Sequence, residues 1–275
     1  MSRPAAQADD RSTGPGRFVT PVPLFFRSLT LVRVDPAQRR PHLELAVLAV
    51  RRTRAIVGTM RDAALESATA LCAAIRRSGS SPTAFRAALL EIRPEERDAW
   101  LDLVWGVDAL PEDEPLPRGC VPYLPCPVAT VLEALDAAGV TTDDVFVDVG
   151  AGLGRVVALV HLATGARCIG LELQAPLVQA ARAHAASLGL DGVRFDPGDA
   201  AELVACNPAG TVFFLYCPFG GARLEQVLDD LERIARTHPI RVCTVGMPAL
   251  QRPWLVTTAT PSVDLAVYRS RVTAV

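Results

Sequence analysis

Before residue 120, apolar positions recur at helical spacing; beyond it, strand-length apolar runs alternate with helical ones. Residues 43–60 (LELAVLAVRRTRAIVGTM) predict a helix, and residues 61–78 predict a second, with Gly79 as its stop. Ser81 followed by Pro82 reads as an N-cap and an N1 proline that open a third helix running through Ile92. Pro94 opens a fourth, with Trp100, Leu101, Val104 and Trp105 at helical spacing. Residues 108–119 (DALPEDEPLPRG) are acidic and rich in proline, and read as a linker. Residues 1–17 read as a disordered tail. Phe18–Asp35 carries short apolar runs broken by prolines, the pattern of a strand or a packing arm.

After the linker, ATVLEAL predicts a helix and VFVD a strand, followed by the helical run RVVALVHLA. CIGLEL, VRFDP, TVFFLY and IRVCTVG read as further strands, and ARLEQVLDDLERIAR as an amphipathic helix. Alternating strands and helices predict a parallel sheet with helices on both faces. WLVTTA and VDLAVYRS flank Thr260-Pro261-Ser262, a connection too short for a crossover, so this last pair is expected to be antiparallel.

The stretch Val145–Arg155 (VFVDVGAGLGR) carries the most chemistry. A strand breaks into Gly150, Gly152 and Gly154 and re-enters a helix, as in nucleotide-cofactor platforms. The dinucleotide fingerprint is G-x-G-x-x-G. Here the spacing is G-x-G-x-G, and Arg155 stands where the third dinucleotide glycine would be. Asp148 ends the strand, where a carboxylate would repel a pyrophosphate and suit an ammonium group. S-adenosylmethionine (SAM) offers an amino-acid tail, a sulfonium and no phosphate, so these residues favour it over a nicotinamide dinucleotide.

The segment resembles motif I of class I SAM-dependent methyltransferases, and further family motifs follow in order over residues 120–275. The resemblance implies a doubly wound, mostly parallel seven-stranded α/β sheet with an antiparallel C-terminal hairpin. It leaves residues 18–119 as an N-terminal helical or lid region. It implies that Asp148, Gly150, Ala151, Gly152 and Gly154 hold the cofactor, and that Glu172, with Leu173 beside it, takes the ribose hydroxyls. Asp199 would accept from the adenine amino group and the Ala200 N–H would meet the ring. Asp199 also reads as the N-cap of the short helix AAELVA, and the two roles are compatible. Tyr123 in VPYLPCP resembles the Tyr-x-Pro-x-Pro segment that lines the cofactor's methionine end in some protein methyltransferases. Tyr216 and Phe219 are pocket candidates at the end of the fourth strand, where Tyr216 would also face the cofactor. Amide and nucleobase N-methyltransferases carry [DN]-P-P-[YF] there; this chain has YCPF and lacks the first acceptor.

Composition adds limits. Of 275 residues half are hydrophobic, the net charge is −2, and all 28 basic residues are arginine. No lysine is present to act as a base or Schiff-base nucleophile, and no global basic field calls for a nucleic-acid partner. Arg51, Arg52 and Arg54 read as a solvated face, with an acidic-peptide or phosphate contact as the alternative. Seven scattered cysteines form no C-x-x-C pair, so neither a metal site nor a redox dithiol is expected. With no leader and no apolar run of membrane-spanning length read, a cytoplasmic location is expected. His161 and His184 fall on helices away from the strand ends and His238 at the start of a strand, so no histidine is placed as a general base.

The expected reaction is methyl transfer from SAM, giving S-adenosylhomocysteine. VPYLPCP, VFVDVGAGLGR and LYCPFGGARLEQVLDDL look most like the non-SET protein-lysine methyltransferases, which implies a protein or peptide nitrogen as acceptor. The alternatives are a small natural product as acceptor, or a non-catalytic protein that binds SAM or its product.

Overall fold

The computed structural model describes residues 62–108, 111 and 115–271, which lie within one compact unit. The tail at 1–17, the proline-broken segment 18–35 and the helix at 43–60 with its three arginines lie outside the described residues.

Among the described residues, three helices lie before residue 108. α1 (Asp62–Ser78) buries Ala64, Ala68, Cys72 and Ile75, a single stripe of small and apolar side chains. Ser81 caps α2 (Pro82–Glu91), its hydroxyl accepting from the Ala84 N–H. Pro94–Glu96 makes a 3-10 turn, and α3 (Arg97–Trp105) follows, closed by Gly106 in the left-handed region at φ +83°. Trp100 and Trp105 are fully buried, and Trp100 packs its ring 5.7 Å from that of Phe85.

The remainder alternates as expected: α4 (Val128–Ala138), β1 (Val145–Val149), α5 (Arg155–Thr164), β2 (Arg167–Glu172), α6 (Ala175–Leu188), β3 (Val193–Pro197), α7 (Ala200–Leu203), β4 (Val212–Tyr216), α8 (Ala222–Ala235), β5 (Arg241–Val245), β6 (Leu255–Ser262) and β7 (Leu265–Ser270). The seven strands run in the order β3-β2-β1-β4-β5-β7-β6. The first five are parallel; β7 lies antiparallel between β5 and β6. This is the doubly wound sheet with an antiparallel hairpin that the methyltransferase resemblance implies.

One detail of the hairpin differs. Thr260-Pro261-Ser262 does not form the turn. All three residues belong to β6, and the reversal falls at Val263 and Asp264. Proline is tolerated here because β6 is an edge strand with register shifts near this end.

Side-chain alternation sorts the core into two layers. Phe146 of β1 and Phe214 of β4 join a cluster with α1 to α6, including Trp100, Trp105, Val157 and Leu162. Val147, Val149, Phe213 and Leu215 face the other way and pack with α7 and α8 through Ala200, Val227 and Leu231. The described helices before residue 108 thus share a core with the sheet. Asp148 takes the same face of β1 as Phe146, toward the larger cluster.

Candidate functional site

Strand order reverses between β1 and β4: β1 leads outward to β2 and β3, and β4 to β5. In open α/β sheets a crevice forms outside the carboxyl ends of the strands at such a point. The sequence-derived candidates Asp148, the glycine turn, Glu172, Asp199 and Tyr216 all sit at or just beyond these strand ends.

Asp148 is 2% exposed. Burial pushes its carboxyl up to about 8, and the charge of Glu172 adds to the rise. Among the described residues, no hydrogen-bond donor or cation pairs with it. An isolated buried carboxylate is costly, and the neutral form takes over unless a cation arrives.

Glu172 is also buried but is satisfied. One carboxylate oxygen accepts from the Gly152 N–H at 2.8 Å and the other from the Gln174 N–H at 2.8 Å. Burial raises its carboxyl, and the Gln174, Gly152 and Leu173 amides work against that rise. The Gly150 and Ala151 N–H groups both donate to the Leu171 carbonyl at 2.9 Å. Three successive amides of the glycine turn are therefore spent on the end of β2, and do not converge on an anion.

All three glycines have positive φ, at +89°, +54° and +77°. In nucleotide-cofactor platforms such glycines let the backbone approach the ligand closely. In the structure the space beside each is filled by protein. A Cβ on Gly150 would meet Pro218, on Gly152 the Tyr123 ring, and on Gly154 the Phe195 ring, each closer than 3.0 Å. Tyr123 therefore lies directly on the glycine turn, and burial holds its phenol well above the usual tyrosine range.

Arg155 is the residue whose role the sequence reading missed. It begins α5 at 4% exposure. Its Nε donates to Asp102 at 2.5 Å, Nη2 to Asp98 at 3.0 Å and Nη1 to the Cys126 carbonyl at 2.9 Å. Burial opposes the charge, but Asp102 and Asp98 outweigh it and hold the guanidinium above its ordinary value. Asp98 also accepts from Val128 N–H at the start of α4. Trp105 donates its indole N–H to the Leu153 carbonyl at 2.7 Å. α3 thus grips the turn at two points. The available signal was a pair of aspartates four residues apart on a predicted helix, together with an arginine inside an otherwise apolar helix start.

Asp199 caps α7, accepting from the Ala201 N–H at 3.0 Å, and its second oxygen is ion-paired with Arg223 of α8. The Gly198 N–H donates to the Glu172 carbonyl at 2.9 Å, which seats this loop beside the end of β2. Ala200, the first residue of α7, is buried in the second core.

Tyr216 ends β4 half-buried, and burial pushes its phenol well up. Cys217 follows at φ +42°, the sole described non-glycine residue in the left-handed region. The Pro218 carbonyl accepts from Val121 N–H, and Cys120 bridges to Phe219, so the chain ahead of α4 is stitched across this loop. Phe219 is 7% exposed and packs in the second core, beside α8. Burial raises the Cys120 thiol; Arg223 works against the rise, and Asp199 and Glu172 add to it.

His161 bonds the Ala166 carbonyl, His184 stacks near Trp105, and His238 bonds the Gly210 carbonyl at the opposite end of the sheet. Among the described residues no group of three or more His, Cys, Asp or Glu side chains is arranged to hold a metal. None of the described helices is long and apolar enough to cross a membrane.

No protein-family model matches the chain, and no curated protein matches it. Among solved structures it is similar to an RNA methyltransferase from Salinibacter ruber in complex with S-adenosyl-L-homocysteine, at 28% identity over 55% of this chain and 96% of that one, with a TM-score of 0.41. A methyltransferase from Geobacter sulfurreducens is 19% identical over 69% of this chain and 89% of that one, with a TM-score of 0.43. Geranyl diphosphate C-methyltransferase from Streptomyces coelicolor is 21% identical over 42% of this chain and 44% of that one, with a TM-score of 0.36.

Proposed function

We propose that this chain binds SAM at the carboxyl ends of β1 and β2 and transfers its methyl group to a nitrogen of a protein or peptide. The observation that carries the cofactor reading is Asp148. It is a buried carboxyl group beside a second one, with no cation to pair it among the described residues. Its ionised form is stabilised by a ligand that brings positive charge, and SAM brings an ammonium and a sulfonium. A pyrophosphate fits poorly, because the turn amides that would cradle it already serve Leu171 and Glu172.

In this reading Asp148 and the turn Gly150–Gly154 hold the methionine end, with Tyr123 alongside. Glu172 keeps a lone pair on each oxygen for the ribose hydroxyls, and Asp199 meets the adenine amino group, with Ala200 and Leu173 beside the ring. Tyr216 lies nearest the transferred methyl. Methyl transfer is an in-line displacement on carbon by a lone pair, so the chief demands are position and exclusion of water. Both phenols at the site are held well above neutrality, and neither acts as a base there. The acceptor must arrive with its lone pair free, losing its proton to solvent beforehand. An amine reacts through its small unprotonated fraction, and a net acidic site attracts an amine-bearing acceptor where it would repel a polyanion.

The test is incubation of the full chain with methyl-tritiated SAM and fractionated cell extract. Base-stable label in the protein fraction supports the proposal. Label confined to small molecules overturns the acceptor assignment, and no label in any fraction despite SAM binding overturns the transferase assignment.

A further inference from the structure

Asp199, the acceptor given to the adenine amino group, is ion-paired with Arg223. Asp199 leads α7 and Arg223 lies in the first turn of α8, so the two helices that flank the β4 loop meet through this pair. Their side chains are 23% and 29% exposed, so neither is sealed in the core. The Gly198 N–H, next to Asp199, donates to the Glu172 carbonyl at 2.9 Å, so the ion pair and Glu172 share the end of β2. Glu172 is the group assigned to the ribose, and the pair is therefore where a base attached to that ribose would present its edge.

We infer that Arg223 is a specificity-determining residue that, with Asp199, reads the amino edge of the purine; this rests on the cofactor reading above. The chemistry is a matched donor and acceptor. Asp199 spends part of each oxygen on the Ala201 N–H and on Arg223, and has lone pairs left for an amino group. Arg223 spends one N–H group on Asp199 and has others in the same plane for an adjacent ring nitrogen. Adenine offers an amino donor next to a ring-nitrogen acceptor. A 6-oxo purine on the same ribose offers an acceptor where the amino group was, facing the carboxylate. The adjacent ring nitrogen of that base carries a hydrogen that faces the guanidinium donors, so like groups oppose each other at both positions and the site discriminates against it.

The test is calorimetry on the full chain with S-adenosylhomocysteine and with S-inosylhomocysteine, its 6-oxo counterpart. Wild type is expected to prefer the amino form by about tenfold or more. Arg223→Met is expected to weaken S-adenosylhomocysteine by about tenfold and, with Asp199 still facing the amino group, to shrink the preference by about threefold. Arg223→Lys keeps the charge without the planar fork, and is expected to recover affinity without recovering the preference. The thermal midpoints of both variants should stay near wild type, because the pair is partly exposed. If Arg223→Met weakens both ligands by one factor and the preference survives, the residue only joins α7 to α8 and the inference fails. If wild type binds neither ligand, the cofactor reading itself fails.

Discussion

A single carboxyl group makes the sharpest demand at the residue scale. Because the Asp148 carboxyl is raised from 3.8 to about 8, the folded chain keeps a proton there that the unfolded chain has lost. Its contribution to stability is full below about pH 4 and fades as pH rises through about 8. Asp148→Asn should remove that slope, which chemical denaturation at pH 6 and pH 9 will read. Ligand binding runs the other way, because a cationic ligand needs the ionised form. The affinity for SAM should therefore rise as pH climbs toward about 8 in wild type and stay flat in Asp148→Asn, which should bind at least about 30-fold more weakly at pH 8. Gly152 makes a second demand. Gly152→Ala puts a methyl into the Tyr123 ring at a backbone φ of +54°, so it should both displace the ring and strain the turn. Adding Tyr123→Ala should restore part of the lost thermal stability, because it removes the clash and leaves the strain.

Among the elements, α3 has the largest consequence beyond its own packing. It sends Asp98 and Asp102 to Arg155 and Trp105 to Leu153, and so fixes both sides of the glycine turn. Arg155→Met strips the cation from a buried carboxylate, an event that typically costs about 3–5 kcal/mol. The thermal midpoint should fall by roughly 10 °C, and Asp102→Leu in the same chain should recover part of it. Trp105→Phe removes one indole hydrogen bond, at about 1 kcal/mol, and should weaken S-adenosylhomocysteine through the loosened turn. The amphipathic periods announced α1 to α3 and the strand runs announced β1 to β5, because each element's own residues carry its pattern. The Arg155 network was not legible, since it joins residues 53 and 57 positions apart and has no local period. The same holds for the Asp199–Arg223 pair. The cap half of Asp199 could be read because a cap is local, whereas its ion pair depends on how two helices approach across a loop. The turn of the last hairpin was misplaced because Thr-Pro-Ser carries turn chemistry that an irregular edge strand also accepts.

For the whole molecule, the helices from residue 62 to residue 105 are part of one core with the sheet, not a cover laid over a finished domain. A chain beginning at residue 120 would lack Trp100 and Trp105, expose the apolar surface they cover and leave Arg155 without its aspartates. It should lose both cooperative unfolding and S-adenosylhomocysteine binding, which calorimetric melting and titration will show together. The central claim is that the crevice at β1 and β2 is built for a cationic, phosphate-free nucleoside cofactor. The most direct measurement is titration calorimetry of the full chain and of Asp148→Asn with SAM, S-adenosylhomocysteine and NAD at pH 8. Micromolar binding of the two sulfur ligands by wild type, marked loss in Asp148→Asn and no binding of NAD is the predicted result. Binding of NAD, or sulfur-ligand affinities that ignore the loss of Asp148, would contradict the account.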